Sequence, residues 1–381
     1  MKRRKRSLSQ TGGPSTLAGD PALAKTLAAC LEVDPEAKLP FTHGFHAYPA
    51  RMHPETARRV LEAFPGSSVF DPFVGSGTTA VEAMREGRAF TGADFSPVAL
   101  EVAWARSRVL HPDECRRFER AGHALADRSF SENERPEFRY PPEALPERDW
   151  YDPHSLREIC VLKGLADGAE ELHRRLFRCV LSSILVKLSY QASDSDPRQD
   201  VYHRPRPRGA VFRNFADRCS ELTKGLLQLS SDLYKRKVER KEPTFVLADA
   251  RTYRGAADLV LTSPPYPGTY DYALQHQRRY WIFGAKPDEK AELGPRRAFK
   301  EADYRKDLGV CVRNMLEAAP RAVLLIGDGE ALRADALVAE LAKAAGGRMV
   351  ATASQKRRDW SGGPPRNEHL TLIERVTSAS A

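Results

Sequence analysis

Apolar residues recur along this chain with two periods, and the switches between them mark its elements. Near the start, ALAKTLAACLEV has the spacing of a short helix. Within FTHGFHAYPARMHPETARRVLEAF, Ala57, Val60, Leu61 and Phe64 repeat that spacing. A short β-rich run follows, Ser68-Val69-Phe70, then a glycine turn, then a helix over about 78–85. After Gly87 a second strand, Ala89 to Ala93, ends on Asp94, and another helix follows from Pro97 to about Arg106. Strand, loop, helix, strand, helix is the opening of an open, mostly parallel α/β sheet.

The pattern then changes. From about His111 to Trp150 charge, proline and glutamate dominate and the periodicity is weak. From Ser155 to Tyr190 the chain reads as helical, with stripes made by Leu156, Ile159 and Leu162, then Leu172, Leu176, Val180, Ile184 and Leu188. DSDPRQDVYHRPRPRGAVF has the composition of a loop, and a helix is expected from about Asn214 to Lys235. Strands resume at Thr244 to Asp249, Ala257 to Leu261, Arg321 to Gly327, Met349 to Ala353 and His369 to Glu374, with helices between. There is no internal repeat. The organisation expected is a basic flexible arm with a short helix (1–40), the first half of an α/β domain (41–110), a mostly helical insertion (111–240) and the second half of the domain (241–381).

Composition narrows the picture only a little. The 381 residues are 41% hydrophobic and 29% charged, as in a soluble protein, and no apolar run has transmembrane length. MKRRKRSLSQTGGPST is basic but lacks the apolar core of a secretion signal. The six cysteines are scattered without a CxxC pair, which argues against a zinc site or disulfide framework and for a reducing cytoplasm. No metal site is expected. A net charge of +9 suits a polyanionic partner.

Chemistry enters with VFDPFVGSGTTAVEA. A strand ends at Asp71, a Gly-Ser-Gly turn follows, and a helix begins at the threonines. Glycine lets backbone approach a ligand, and a helix N-terminus offers free amides. The second strand ends on Asp94, about 20 residues on, where a ribose hydroxyl would sit, and the third on Asp249. Three strand-end acids favour a nucleoside cofactor over a plain βα turn. There is no GKS or GKT for a P-loop, and GxGxxG is incomplete.

The second motif is LTSPPYPGTYDY. Two consecutive prolines remove two backbone donors at the end of a buried strand. Such a turn presents carbonyls and a hydroxyl but few donors. A flat group bearing an NH2 could donate to Ser263 and to the Pro264 carbonyl while Tyr266 stacks on its face. That is a clamp for the exocyclic amine of a nucleobase, acting through orientation and electrostatics.

DPFVGSGTT together with TSPPY resembles the S-adenosylmethionine-dependent amino-methyltransferases of DNA, which make N4-methylcytosine or N6-methyladenine. FTHGFHAYPARMHP resembles the segment that precedes the glycine loop in these enzymes. The resemblance covers about Phe41 to Arg106 and Thr244 to Glu374. It implies a Rossmann-like class I methyltransferase sheet of seven strands, the last antiparallel. By position it implies that Asp71, Phe73, Gly75 and Gly77 surround the methionine part of the cofactor, with Tyr48 and Thr78 also binding the cofactor. Asp94 would hold the ribose and Asp249 the adenine amine, while Ser263, Pro264, Pro265 and Tyr266 would hold the target base. The glycine loop precedes the Ser-Pro-Pro-Tyr motif, the reverse of many N4-cytosine enzymes, and the insertion falls between the second and third strands. Serine in the first motif position favours cytosine N4, since the adenine enzymes more often have Asp or Asn there.

A target base inside a duplex must be flipped out, which costs a few kcal/mol that binding elsewhere must offset. The insertion is the expected source, through Arg198, Arg204, Arg206 and Arg208, with phosphate contact favoured over base readout. Lys356, Arg357 and Arg358, beside Trp360, form a second basic stretch. DNA is thus the expected partner, with a cognate restriction endonuclease as a further one, and no membrane. An adenine-N6 enzyme, an RNA methyltransferase and a non-catalytic nucleic-acid-binding protein on the same fold remain open alternatives.

Overall fold

The computed structural model describes residues 11–34, 37–48, 51–200, 202, 205–357 and 366–376. Its strands are β1 (Thr11–Gly19), β2 (Ser68–Asp71), β3 (Ala89–Asp94), β4 (Gln191–Ser193), β5 (Asp196–Gln199), β6 (Thr244–Leu247), β7 (Leu259–Thr262), β8 (Arg321–Gly327), β9 (Gly347–Arg357) and β10 (Arg366–Arg375). Eight of them form one sheet in the order β1-β9-β10-β8-β7-β2-β3-β6. Strands β6, β3, β2, β7 and β8 run parallel, whereas β10 is antiparallel to both β8 and β9. Seven strands with one antiparallel insertion is the class I methyltransferase order, with β1 added at one edge.

The central strands are apolar on both sides because helices cover both faces. Val69, Leu259, Leu261, Val323 and Leu325 point into one core, with helices Pro21–Leu31 and Pro54–Ala63. Phe70, Val260, Leu324 and Ile326 alternate to the other, under helices Glu301–Ala318 and Ala334–Ala344. Several helices begin with proline at the first position (Pro21, Pro54, Pro97, Pro112 and Pro153), where its missing N–H costs nothing.

Two expectations need correction. Residues 11–19, read as flexible arm, form an edge strand antiparallel to β9, so the sheet has eight strands rather than seven. TGGPSTLAG has no strand-like alternation. It pairs because β9 offers an open edge, and an edge position tolerates Pro14 where the register slips between Gly12 and Thr16. The weakly periodic stretch after His111 contains a 22-residue helix, Pro112–Asn133. Its buried stripe is Cys115, Phe118, Gly122, Ala126 and Ser129, mostly small residues. They are small because helix Ala210–Lys235 lies close: a Cβ on Gly122 would come within 2.5 Å of Cys219 Sγ.

Helices Pro112–Asn133, Pro153–Asp167, Glu171–Leu188 and Ala210–Lys235 share a separate core. Ile282, from the helix Gln277–Phe283 that follows the Ser-Pro-Pro-Tyr turn, joins it. β4, just before the stretch read as loop, and β5, within it, make a small antiparallel hairpin.

Candidate active site

The glycine loop leaves β2 at Asp71, whose buried carboxylate organises it. Asp71 Oδ1 accepts from the Phe73 amide at 3.0 Å and from the Thr262 hydroxyl at 2.6 Å. Thr262 is the last residue of β7, one before Ser263, so a single carboxylate ties the two motifs together. Val74 N donates to the Ala93 carbonyl, and Gly75 N donates to Asp94 Oδ2 at 2.9 Å. The other Asp94 oxygen accepts from Ser96 N. Burial pushes the Asp94 carboxyl up to about 7, against the pull of these amides, and Asp71 to about 6.

Gly77 needs to be glycine. Its φ is +77°, and a Cβ there would lie 2.8 Å from Ala103 Cα. As N-cap of helix Thr78–Arg85 it supplies no side-chain cap. The hydroxyls of Ser76 and Thr78, both buried, have no hydrogen-bond partner among the described residues. Buried hydroxyls without partners beside uncapped amides are donors held ready for a polar ligand.

The segment before the loop lies over it. The Tyr48 ring sits 3.4 Å from where a Gly75 Cβ would be, and it stacks on His276 at 4.6 Å between centroids. Below the loop is a group that sequence reading missed. Arg106 is fully buried, and it donates to the carbonyls of Ser76 (2.6 Å) and Thr42 (3.2 Å) and to His43 Nδ1 (3.0 Å). Because arginine only donates, His43 Nδ1 is the acceptor and Nε2 carries the proton, donated to Glu82 Oε1 at 2.6 Å. Glu82 continues to Arg85, and Arg85 to Asp232 on the long insertion helix. Burial holds His43 near 4, so it stays neutral.

One pocket unites these parts. It is lined by Tyr48, Arg51, Asp71, Phe73, the loop from Val74 to Ser76, Thr78 and, from the other motif, Ser263. The Ser263 hydroxyl donates to the Leu325 carbonyl at 2.9 Å. Its proton is therefore committed, and its lone pairs remain to accept. The carbonyl of Pro265 accepts from the Tyr304 hydroxyl, and Pro264 is buried. Tyr266 departs from expectation. Its ring is 3% exposed and its hydroxyl donates to Glu368 at 2.6 Å, so it is a wall fixed from behind and not an open stacking platform. Asp249 is also differently engaged: its carboxylate receives Nε and Nη2 of Arg251, and Arg251 bridges on to Asp307. Arg51, which also lines the pocket, lies in the segment FTHGFHAYPARMHP but was not singled out within it.

Residues 29–104 match the family model described as DNA methylase. The match covers about a fifth of the chain and includes the glycine loop. Over 95 residues it is 30% identical to the Type II methyltransferase M.MvaI of Kocuria varians, a match covering 24% of this chain and 20% of that relative. The matched stretch thus spans a fifth of the relative's length. Among solved structures, TrmN from Thermus thermophilus aligns at 13% identity and TM-score 0.31, covering 85% of this chain and 49% of that one. The rRNA methyltransferase AviRa from Streptomyces viridochromogenes aligns at 12% identity and TM-score 0.31, covering 91% and 92%. The strand order of the sheet, not these loose superpositions, carries the fold.

S-adenosylmethionine, the cofactor that the resemblance implies, suits this pocket. The uncapped amides with the Ser76 and Thr78 hydroxyls suit a carboxylate, and the Asp71 and Asp94 carboxylates suit an ammonium and ribose hydroxyls. The residues expected on nucleic acid are scattered. Arg198 lies on the β4–β5 hairpin, paired with Asp196 and 79% exposed. Arg206 is half-buried, its amide donating to Asp152, and Arg208 is exposed just before the long helix. Lys356 is exposed near the end of β9, and Arg357 belongs to that strand. Arg204, Arg358 and Trp360 lie outside the described residues. No helix among the described residues is long and apolar enough to cross a membrane.

Proposed function

We propose that this protein methylates the exocyclic amine of a base in DNA, with cytosine N4 as the target. One observation carries the reading: Ser263 lines the same pocket as the glycine loop, and the Asp71–Thr262 hydrogen bond holds the two motifs in register. When bound, the cofactor supplies an electrophilic methyl group. Ser263, its own proton spent on Leu325, accepts from the amine and turns the nitrogen lone pair toward the pocket. The serine itself supports cytosine as the base, by its place in the motif. No side chain needs to form a covalent bond.

The six cysteines are all buried and free, which suits a reducing cytoplasm. Protection of host DNA from a matching endonuclease is the setting such an activity would serve.

The test is to incubate the protein with methyl-labelled S-adenosylmethionine and unmethylated genomic DNA, then resolve the digested nucleosides by mass spectrometry. Labelled N4-methylcytosine supports the reading. Labelled N6-methyladenine keeps the clamp and overturns the base. Label on RNA and not on DNA overturns the substrate.

A further inference from the structure

The chain after Ser-Pro-Pro-Tyr is overlaid by a later segment whose cations no motif assigns. The amide of Arg296 donates to the Tyr270 carbonyl at 3.0 Å, and the amide of Arg297 donates to Asp271 Oδ1 at 2.9 Å. Phe299 packs on Gly268, where a Cβ would meet its ring at 3.2 Å. Phe299 also packs against Tyr304, whose hydroxyl donates to the carbonyl of Pro265. The turn Arg296–Ala298 is thus fixed by its backbone to the residues that follow the target-base motif, while Arg296, Arg297 and Lys300 are left exposed.

The β4–β5 hairpin reaches the same loop from the insertion. Gln275 Nε2 donates to the Ser195 carbonyl at 3.2 Å, and buried Arg279 pairs with Asp194. On the hairpin, Arg198 is paired with Asp196. Arg297 lies 3.7 Å from Asp271, while Arg296 and Lys300 make no ion pair among the described residues. The neighbouring Glu301 is taken by Arg305.

A flipped base leaves its two flanking phosphates at the mouth of the pocket, and cations are needed there. We propose that Arg296, Arg297 and Lys300, together with Arg198 on the hairpin, grip the phosphates of the DNA strand on either side of the target base. This rests on the methyltransferase reading above. Arg296 and Arg297 sit on backbone that is hydrogen-bonded to the target loop, so phosphate binding and base placement share one rigid support.

The experiment compares wild type with a triple variant, Arg296→Ala, Arg297→Ala and Lys300→Ala, for binding of fluorescein-labelled unmethylated duplex DNA over a salt series. Removing one cation that neutralises a phosphate reduces the log–log salt slope by about 0.9, which is about a three- to fourfold change in affinity for a fourfold change in salt. The triple variant is expected to flatten the slope by about two to three, and Arg198→Ala by about one. Lysine at 296 and 297 should retain the wild-type slope, and S-adenosylhomocysteine affinity by calorimetry should be the same in all variants. A wild-type slope in the triple variant, in a preparation whose wild type transfers label to DNA, overturns the clamp and leaves the methyltransferase reading standing. A wild type that transfers no label to DNA overturns that reading, and the clamp with it.

Discussion

Replacing Ser263 with alanine separates the clamp from the cofactor pocket, although one wall serves both. The variant loses the 2.9 Å bond to the Leu325 carbonyl, worth about 1 kcal/mol of stability at a half-buried site. It also loses the acceptor for the target amine. That amine develops positive charge as it attacks, so the missing bond is of the charged kind, about 1.5–3 kcal/mol. At 1.36 kcal/mol per decade this predicts a methyl-transfer rate lower by about 10- to 150-fold. Cofactor affinity should change by about twofold or less, because the hydrogen bonds of Asp71, Asp94 and the glycine loop do not involve the Ser263 hydroxyl. The assay is single-turnover transfer of labelled methyl to DNA, with S-adenosylhomocysteine binding measured by calorimetry on the same preparations. A loss of cofactor affinity matching the loss of rate would place Ser263 in the cofactor site instead. A rate within about threefold of wild type, smaller than any charged hydrogen bond would give, would refute the clamp outright.

Three further outcomes are expected. Arg106→Met leaves the Ser76 carbonyl and His43 Nδ1 without their buried donor, while the Thr42 carbonyl keeps the Phe45 amide, and should cost about 2–5 kcal/mol, seen as a lower thermal midpoint and faster amide exchange across the glycine loop. Gly77→Ala combines a left-handed φ with a 2.8 Å approach to Ala103, so cofactor affinity should fall well before the fold does; unchanged affinity in calorimetry would mean the loop can shift freely. Asp94 carries a carboxyl raised by burial to about 7 from its ordinary value of 3.8, so between these pH values the folded state binds the extra proton. Stability from this group is therefore greatest at low pH and is lost as pH rises through the folded value. The stability of wild type minus Asp94→Asn should decline from about pH 4 to pH 7 and level off above it, in denaturant melts across that range; a flat difference would refute the shift.

How much of this was legible beforehand follows from which interactions are local. Val69-Phe70, Leu259 to Leu261 and Ala322 to Ile326 announce themselves as strands because both faces are buried and their apolar runs are continuous. The glycine loop is equally local, since the φ of Gly77 and the Asp71 turn to Phe73 lie within a few residues. Helix Pro112–Asn133 was hidden because close packing on another helix selects Gly122 and Ala126 over large apolar residues. The strand at Thr11–Gly19 was hidden because its partner is 340 residues away and an edge asks little of the sequence.

The sequence by itself determined the central strands, the Gly-Ser-Gly loop and the Ser-Pro-Pro turn, because each is written in backbone requirements that only particular residues satisfy. Only the tertiary structure decided what surrounds them. Arg106 has no motif, and it matters because folding buries a cation where the Ser76 carbonyl and His43 need a donor. Tyr266 is expected to stack on the base, and only the fold brings Glu368, 102 residues later, to take its hydroxyl and hold the ring from behind. Arg296 and Arg297 belong to no motif, and their place is set only where their amides bond to Tyr270 and Asp271. Chain folding brings such partners together across sequence distances that no local pattern records.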